Sequence, residues 1–183
     1  GNTTTETGGT ISHTYASGIA TSTVSIGAQG DTGPFGGVRF NNGGSKTDLL
    51  EIQQWGSIDF INLFTGFYGC SNMQITATDS PNLLLSGAGS DSRLQQTFFN
   101  CTALTGNSYM NNWDVSNVTN MFYAFANTAF NADISNWDVS NVESFSRCFQ
   151  GCSNFNQDIS SWDMSSVTDA SFMFSSATSF NQP

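Results

Sequence analysis

Positive charge is what this chain most lacks. Four Lys and Arg stand against fourteen Asp and Glu, for a net charge of −10. Such a surface repels phosphate backbones and anionic headgroups, so nucleic-acid binding is excluded first. Long apolar runs are missing too. Apolar runs such as Leu83 to Leu85 fall far short of the roughly 18 residues that span a bilayer, and no membrane insertion is expected in this segment. No charged-then-apolar leader opens the chain, but neither does an initiating Met, so the missing leader does not argue against secretion. His13 is the only histidine, which leaves a serine nucleophile without a base and a zinc site without its usual partners. It sits in an alternating run and reads as a packed or hydrogen-bonded strand residue. Scarce Lys with abundant Asn, Ser, Thr and Gly resembles the composition of disordered chains. Against that, 38% hydrophobic residues with sixteen Phe are enough to bury a core.

What is present is repetition. W-D-V-S-N-V at Trp113 returns at Trp137, and W-D-M-S-S-V stands at Trp162, separations of 24 and 25 residues. A period of this size predicts stacked coils, each covering its neighbour's apolar face. With Trp137 as place one, the apolar places of that coil are Trp137, Val142, Phe145, Phe149, Cys152, Phe155 and Ile159. The steps of three, four and three from Val142 to Cys152 predict a short helix with one buried stripe. Ser140 with Glu143 predicts a capping box at its start. Phe155 to Ile159 or Ser161 to Met164 is left to be the strand, and the pattern does not choose between them. Trp55 aligns without a gap to Trp137, and a degenerate coil with Leu94, Phe98, Cys101 and Leu104 follows it, so five coils are expected over 55–183. Place thirteen is Phe in all five: Phe67, Phe98, Phe125, Phe149 and Phe174. Stacked about 5 Å apart, these predict an aromatic spine. The expected class is therefore α/β, a solenoid of short strands and short helices.

N-W-D-V-S-N-V-T-N-M, followed by F-x-G-C-S-N-F-N-Q-D-I-S-S-W, resembles the repeat of BspA-like leucine-rich-repeat surface proteins. The resemblance covers 55–183, is most specific in the last three coils, and departs from the family's pattern at Leu83 to Arg93. It implies a secreted or cell-surface protein built for attachment, with no catalytic residues to carry over. Residues 1–54 have another grammar, rich in Thr, Ser and Gly, with T-I-S-H-T-Y and S-T-V-S-I alternating as half-buried strands do. The H-T-Y-A-S-G-I-A-T-S-T-V-S-I run is similar to the closing hairpin of PKD-like immunoglobulin-type domains. That similarity implies an N-terminal all-β module over 1–54, cut from a longer one.

Several rows of residues are candidates for binding. Asp114, Asp138 and Asp163 hold place two, and Asp133 and Asp158 place twenty-two. Like charges about 5 Å apart repel by roughly 0.8 kcal/mol in water, so something must offset them. Two readings do so: carboxylates capping the start of a helix, or Ca²⁺ bridging the row, which makes Asp114, Asp138 and Asp163 candidate metal ligands. The Trp113, Trp137 and Trp162 row is either core or an exposed sugar-stacking strip. Asn131, Asn156 and Asn181 read as an amide ladder. Cys70, Cys101 and Cys152 share place sixteen and read as small core residues, with a Cys70–Cys101 disulfide as the alternative. If the Trp side chains point inward, Asn136, Asp138, Ser161 and Asp163 point outward as a ligand-facing strip. The expected function is non-enzymatic: adhesion or surface and filament assembly, with other surface proteins, host or glycan ligands, or copies of itself as partners. The competing expectation is a Ca²⁺-dependent carbohydrate-binding module using the Asp and Trp rows.

Overall fold

A computed structural model of the protein describes residues 42–43, 46–56, 63–83 and 94–183. The chain divides into two compact units, Gly1–Gly33 and Pro34–Pro183, and every described residue belongs to the second. The expected hairpin around His13 therefore lies outside the described residues, as does the Leu83 to Arg93 departure beyond Leu83 itself.

The α/β solenoid of strands and helices is not what forms. Among the described residues there is no α-helix, and regular structure is limited to β1 (Glu51–Ile52), β2 (Gln74–Ile75) and a 3-10 helix at Ser108–Asn112. β1 falls inside the segment assigned to an all-β module, yet it pairs in parallel with β2, Glu51 opposite Gln74 and Ile52 opposite Ile75. Neither of the two expected strand stretches is a strand. The parallel contacts between later coils are single bridges, Asn120 with Ser144 and Ser144 with Asp169.

The expected helix, from Val142 to Cys152, is instead a run of overlapping turns. Cys148, Gln150 and Cys152 donate backbone N–H bonds to the carbonyls of Phe145, Arg147 and Phe149, three residues back. The alternate N–H groups leave the coil altogether. Phe145, Arg147, Phe149 and Gly151 donate to the carbonyls of Asp169, Ser171, Met173 and Ser175 at 2.8 to 3.0 Å. One coil earlier, Met121, Tyr123, Phe125 and Asn127 donate to Ser144, Ser146, Cys148 and Gln150. One earlier again, Leu94, Gln96, Phe98 and Asn100 donate to Asn120, Phe122, Ala124 and Ala126. A helix would use all of these N–H groups internally. Consecutive three-residue turns bring positions three apart onto one side as a helix does, so the apolar spacing fits both. Ser, Asn and Thr, poor helix formers, do not hold the choice to helix. The capping box fails with the helix: the Ser140 hydroxyl donates to Asp138 and the Glu143 N–H to the Thr119 carbonyl.

The turn run needs left-handed backbone at two places in each coil. Gly69, Asn100, Asn127, Gly151 and Ser176 take it at place fifteen, mostly residue types that tolerate it. At Gly151 a Cβ would collide with the Asn127 side chain. Place eleven is different: Thr65, Gln96, Tyr123, Arg147 and Phe172 all sit at φ of 55 to 58°, a conformation that costs a residue with a Cβ about 1–2 kcal/mol.

The core is the aromatic spine. Successive place-thirteen rings, Phe67, Phe98, Phe125, Phe149 and Phe174, stack with centroids 5.6, 5.3, 5.8 and 5.8 Å apart. Phe130, Phe155 and Phe180 form a second column, at 6.2 and 5.8 Å. The cysteines are core residues: all four are buried free thiols, and those of Cys101 and Cys152 donate to the carbonyls of Phe67 and Phe125. Burial pushes the Cys70 thiol up to about 12 and the Cys148 thiol well above its ordinary range. In the second coil the 3-10 helix replaces the lost pattern. The Asn107 side chain accepts from the Tyr109 and Met110 N–H groups and donates to the carbonyls of Ile75 and Ala77, tying this coil to the one before.

Phe149 stacks on Phe125, Phe155 and Phe174, so Phe149→Ala is expected to cost about 3–5 kcal/mol and lower the melting temperature by roughly 6 to 20 °C. A melting curve within a degree or two of wild type would show that the spine does not carry the stack. A second expectation concerns the thiols. A thiol-specific reagent should label none of the four cysteines in the native protein at neutral pH and all of them in denaturant, since thiolate is the reactive form. Rapid native labelling would contradict the burial.

Candidate functional site

The candidate site is the polar surface left outside the spine, and its charged rows are built into the turns. Asp138 accepts from the Ser140 N–H at 3.1 Å and the Ser140 hydroxyl at 2.6 Å. Asp114 binds Ser116 in the same way. Asp133, Asp158, Asp163 and Asp169 each accept from the N–H of the serine two residues on. Each Asp-x-Ser thus closes a turn through its own side chain. The capping chemistry expected of the Asp row is present, but it caps turns and not helices.

These bonds also answer the repulsion along the rows. Hydrogen bonds from Ser140, side chain first and then backbone, hold the Asp138 carboxyl below the ordinary carboxylate range, outweighing the upward push of the Asp163 charge. Asp163 is lowered by Ser165, Asp158 by Ser160, and Asp169 chiefly by Ser171. Among the described residues no group of three or more His, Cys, Asp or Glu side chains is placed to hold a metal ion. The candidate ligands Asp114, Asp138 and Asp163 are each engaged with a serine of their own turn.

The Trp row faces inward. Trp113, Trp137 and Trp162 are only 3, 3 and 7% exposed and stack at 6.3 and 6.5 Å. The indole N–H groups of Trp137 and Trp162 donate to the buried carbonyls of Met110 and Ile134, so the row offers no sugar-stacking face. As that orientation requires, Asn136, Asp138, Ser161 and Asp163 are all exposed. The Asn ladder is a backbone clamp: the side-chain carbonyl of Asn131 accepts from the Asn156 N–H, and that of Asn156 from the Asn181 N–H, each at 2.9 Å. Gln157 and Gln182 close each rung by donating to the same asparagine. Two shallow depressions follow the repeat, one lined by Asn117, Asn141 and Ser166 with Thr119, Glu143 and Thr168, the other by Asn136 and Ser161 with Asp133 and Asp158.

Residue-by-residue reading missed two features. One is Asp79, whose carboxylate accepts from the N–H groups of Trp55 and Gly56. The other is the set of aromatic and Arg side chains at place eleven. The recurring Asp-x-Ser spacing was a readable signal for the turn closures; nothing in the spacing marks place eleven as left-handed.

These features define a protein of stacked repeats in which the polar rows serve the backbone. Residues 92–183 match the family described as Mycoplasma protein of unknown function, DUF285. The match takes in half the chain, and the chain belongs to this family. The coils before residue 92 and the PKD-like segment lie outside the matched residues. No curated protein and no solved structure matches this chain.

The serine-bound carboxylates set the response to acid. The carboxyls of Asp138, Asp158, Asp163 and Asp169 are held below the unfolded Asp value of about 3.9, so their contribution is complete above that value and is lost as pH falls through the native ones. The melting temperature should therefore be level between about pH 5 and 8 and decline below about pH 4. Stability that rises as the rows are protonated would mean that repulsion, not turn closure, dominates them.

Proposed function

We propose that this chain is a non-enzymatic, extracellular or cell-surface repeat protein that works in adhesion or surface assembly through its outward polar face. The observation behind this reading is the alternation around the Trp row. Trp137 and Trp162 are buried, while Asn136, Asp138, Ser161 and Asp163 beside them are exposed, and each coil contributes one short row. The depression over this face is shallow and polar, unlike the enclosed apolar pockets that hold small ligands. A surface of repeated weak contacts gains strength by multiplicity. Partners of this kind are other surface proteins, host glycans or further copies of the protein. No helix among the described residues is long and apolar enough to cross a membrane.

Monomer and bead-displayed protein should be compared on immobilised glycans, matrix proteins and the protein itself. The monomer is expected to bind weaker than about 1 μM, and display should raise apparent affinity by about 10²- to 10⁴-fold. Asn136→Arg, at an exposed position, should lower bead adhesion and leave the melting temperature unchanged. Submicromolar binding of a small soluble ligand by the monomer, or turnover of a glycan that one Asp substitution abolishes, would overturn the reading.

A further inference from the structure

A second surface, sharing no residue with the polar face, runs along places eleven and fourteen. Tyr68 stacks on Phe99 at 4.9 Å, and Phe99 packs against Tyr123 at 4.9 Å with the rings tilted by 41°. The Arg147 guanidinium then lies between two rings, 5.4 Å from the centre of Tyr123 and 5.0 Å from that of Phe172. Tyr68, Phe99, Tyr123 and Arg147 are half-buried, and Phe172 is 61% exposed.

Three observations set this strip apart. The first is conformational: place fifteen meets its left-handed backbone mostly with Gly or Asn, whereas place eleven carries Tyr123, Arg147 and Phe172 in the same conformation. Bulky side chains are kept where small residues fit with less strain, and strain of this kind gathers at working surfaces. The second is the state of Arg147. Its guanidinium carbon lies 5.4 and 5.0 Å from the two ring centres, and the one side-chain hydrogen bond it makes among the described residues runs from Nη1 to the Tyr123 hydroxyl at 2.9 Å. Asp169, a carboxylate that feels its charge, is occupied by Ser171. The remaining in-plane donors of this planar guanidinium match a carboxylate presented edge-on. The third is composition: Tyr, Phe and Arg are residues enriched at protein interfaces.

We propose that the strip of Phe99, Tyr123, Arg147 and Phe172 is a docking surface for a polypeptide segment that presents a carboxylate between apolar side chains, with the carboxylate on Arg147. Phe99 and Tyr123 pack on each other at 4.9 Å with their planes 41° apart, so between them the strip offers ring surface and edges to apolar side chains. The chain's net charge of −10 disfavours phosphate and anionic membrane, and Arg147 is the cation that the strip itself offers to one carboxylate.

The probe is a pair of capped peptides, one with Glu between Phe and Leu, the other with Gln in its place, titrated into the full chain by NMR. The Glu peptide should shift the Arg147 Nε–H and the Tyr123 and Phe172 ring signals, and bind about tenfold or more tighter than the Gln peptide. Arg147→Lys, which keeps the charge but loses the fork and the stacking, should remove that preference while melting as wild type does. Should the Lys variant unfold, Phe172→Ser at an exposed position serves instead, and is expected to weaken the Glu peptide. Equal binding of both peptides, no binding, or shifts confined to the Asn136 to Asp163 face would overturn the proposal. Glycan binding lost in Phe172→Ser, with no response to peptide, would overturn it in favour of sugar stacking on Phe172.

Discussion

Every second peptide group between places eight and fifteen lies along the stack, its carbonyl accepting from the coil before and its N–H donating to the coil after. The peptide joining Thr97 to Phe98 accepts from the Phe67 N–H and donates to Ala124, and the one joining Cys148 to Phe149 accepts from Phe125 and donates to Met173. Chains of aligned hydrogen bonds thus run through the coils, where each bond polarises the next. The arrangement fixes much else. The intervening peptides must bond within their own coil, which produces the run of turns, and the turns require left-handed backbone at places eleven and fifteen. A constant advance per coil then brings the Phe rings into columns.

The polar rows follow from the same constraint. A coil with so little regular structure has many backbone groups near water and few partners for them, and the side chains supply those partners. Asp closes a turn through the serine two residues on, while Asn and Gln join one coil's turn to the next. A protein poor in Lys and Arg can stack like charges in this way because each carboxylate is held by its own turn. The rows are therefore scaffold first. What remains for recognition is what the scaffold does not use: the outward neighbours of the Trp row and the aromatic strip around Arg147.

The match to DUF285 fits this picture, since it covers the later coils, in which Trp, Asp, Phe and Asn recur most regularly. Any specificity rests on the places that vary from coil to coil. Place eleven is the clearest of these, running Thr65, Gln96, Tyr123, Arg147, Phe172 while the backbone beneath it stays the same.

The repeat, its period, the Phe column and the reading of the cysteines as core residues were determined by the sequence. Each follows from which residues are apolar and how far apart they stand. The inward Trp row, and with it the outward position of Asn136, Asp138, Ser161 and Asp163, is one of two alternatives that the sequence leaves open and the structure decided. The secondary structure was not determined by the sequence either, because apolar steps of three and four satisfy a helix and a chain of turns alike. Their difference lies in whether alternate N–H groups bond inside the coil or across to the next, and only the neighbouring coil can decide that. The carboxylate rows were legible as needing an offset, but their attachment to serine depended on turns that a helical reading does not contain. The Arg147 sandwich was least legible. Tyr123, Arg147 and Phe172 stand 24 and 25 residues apart, and they meet because the tertiary ladder sets the coils in register.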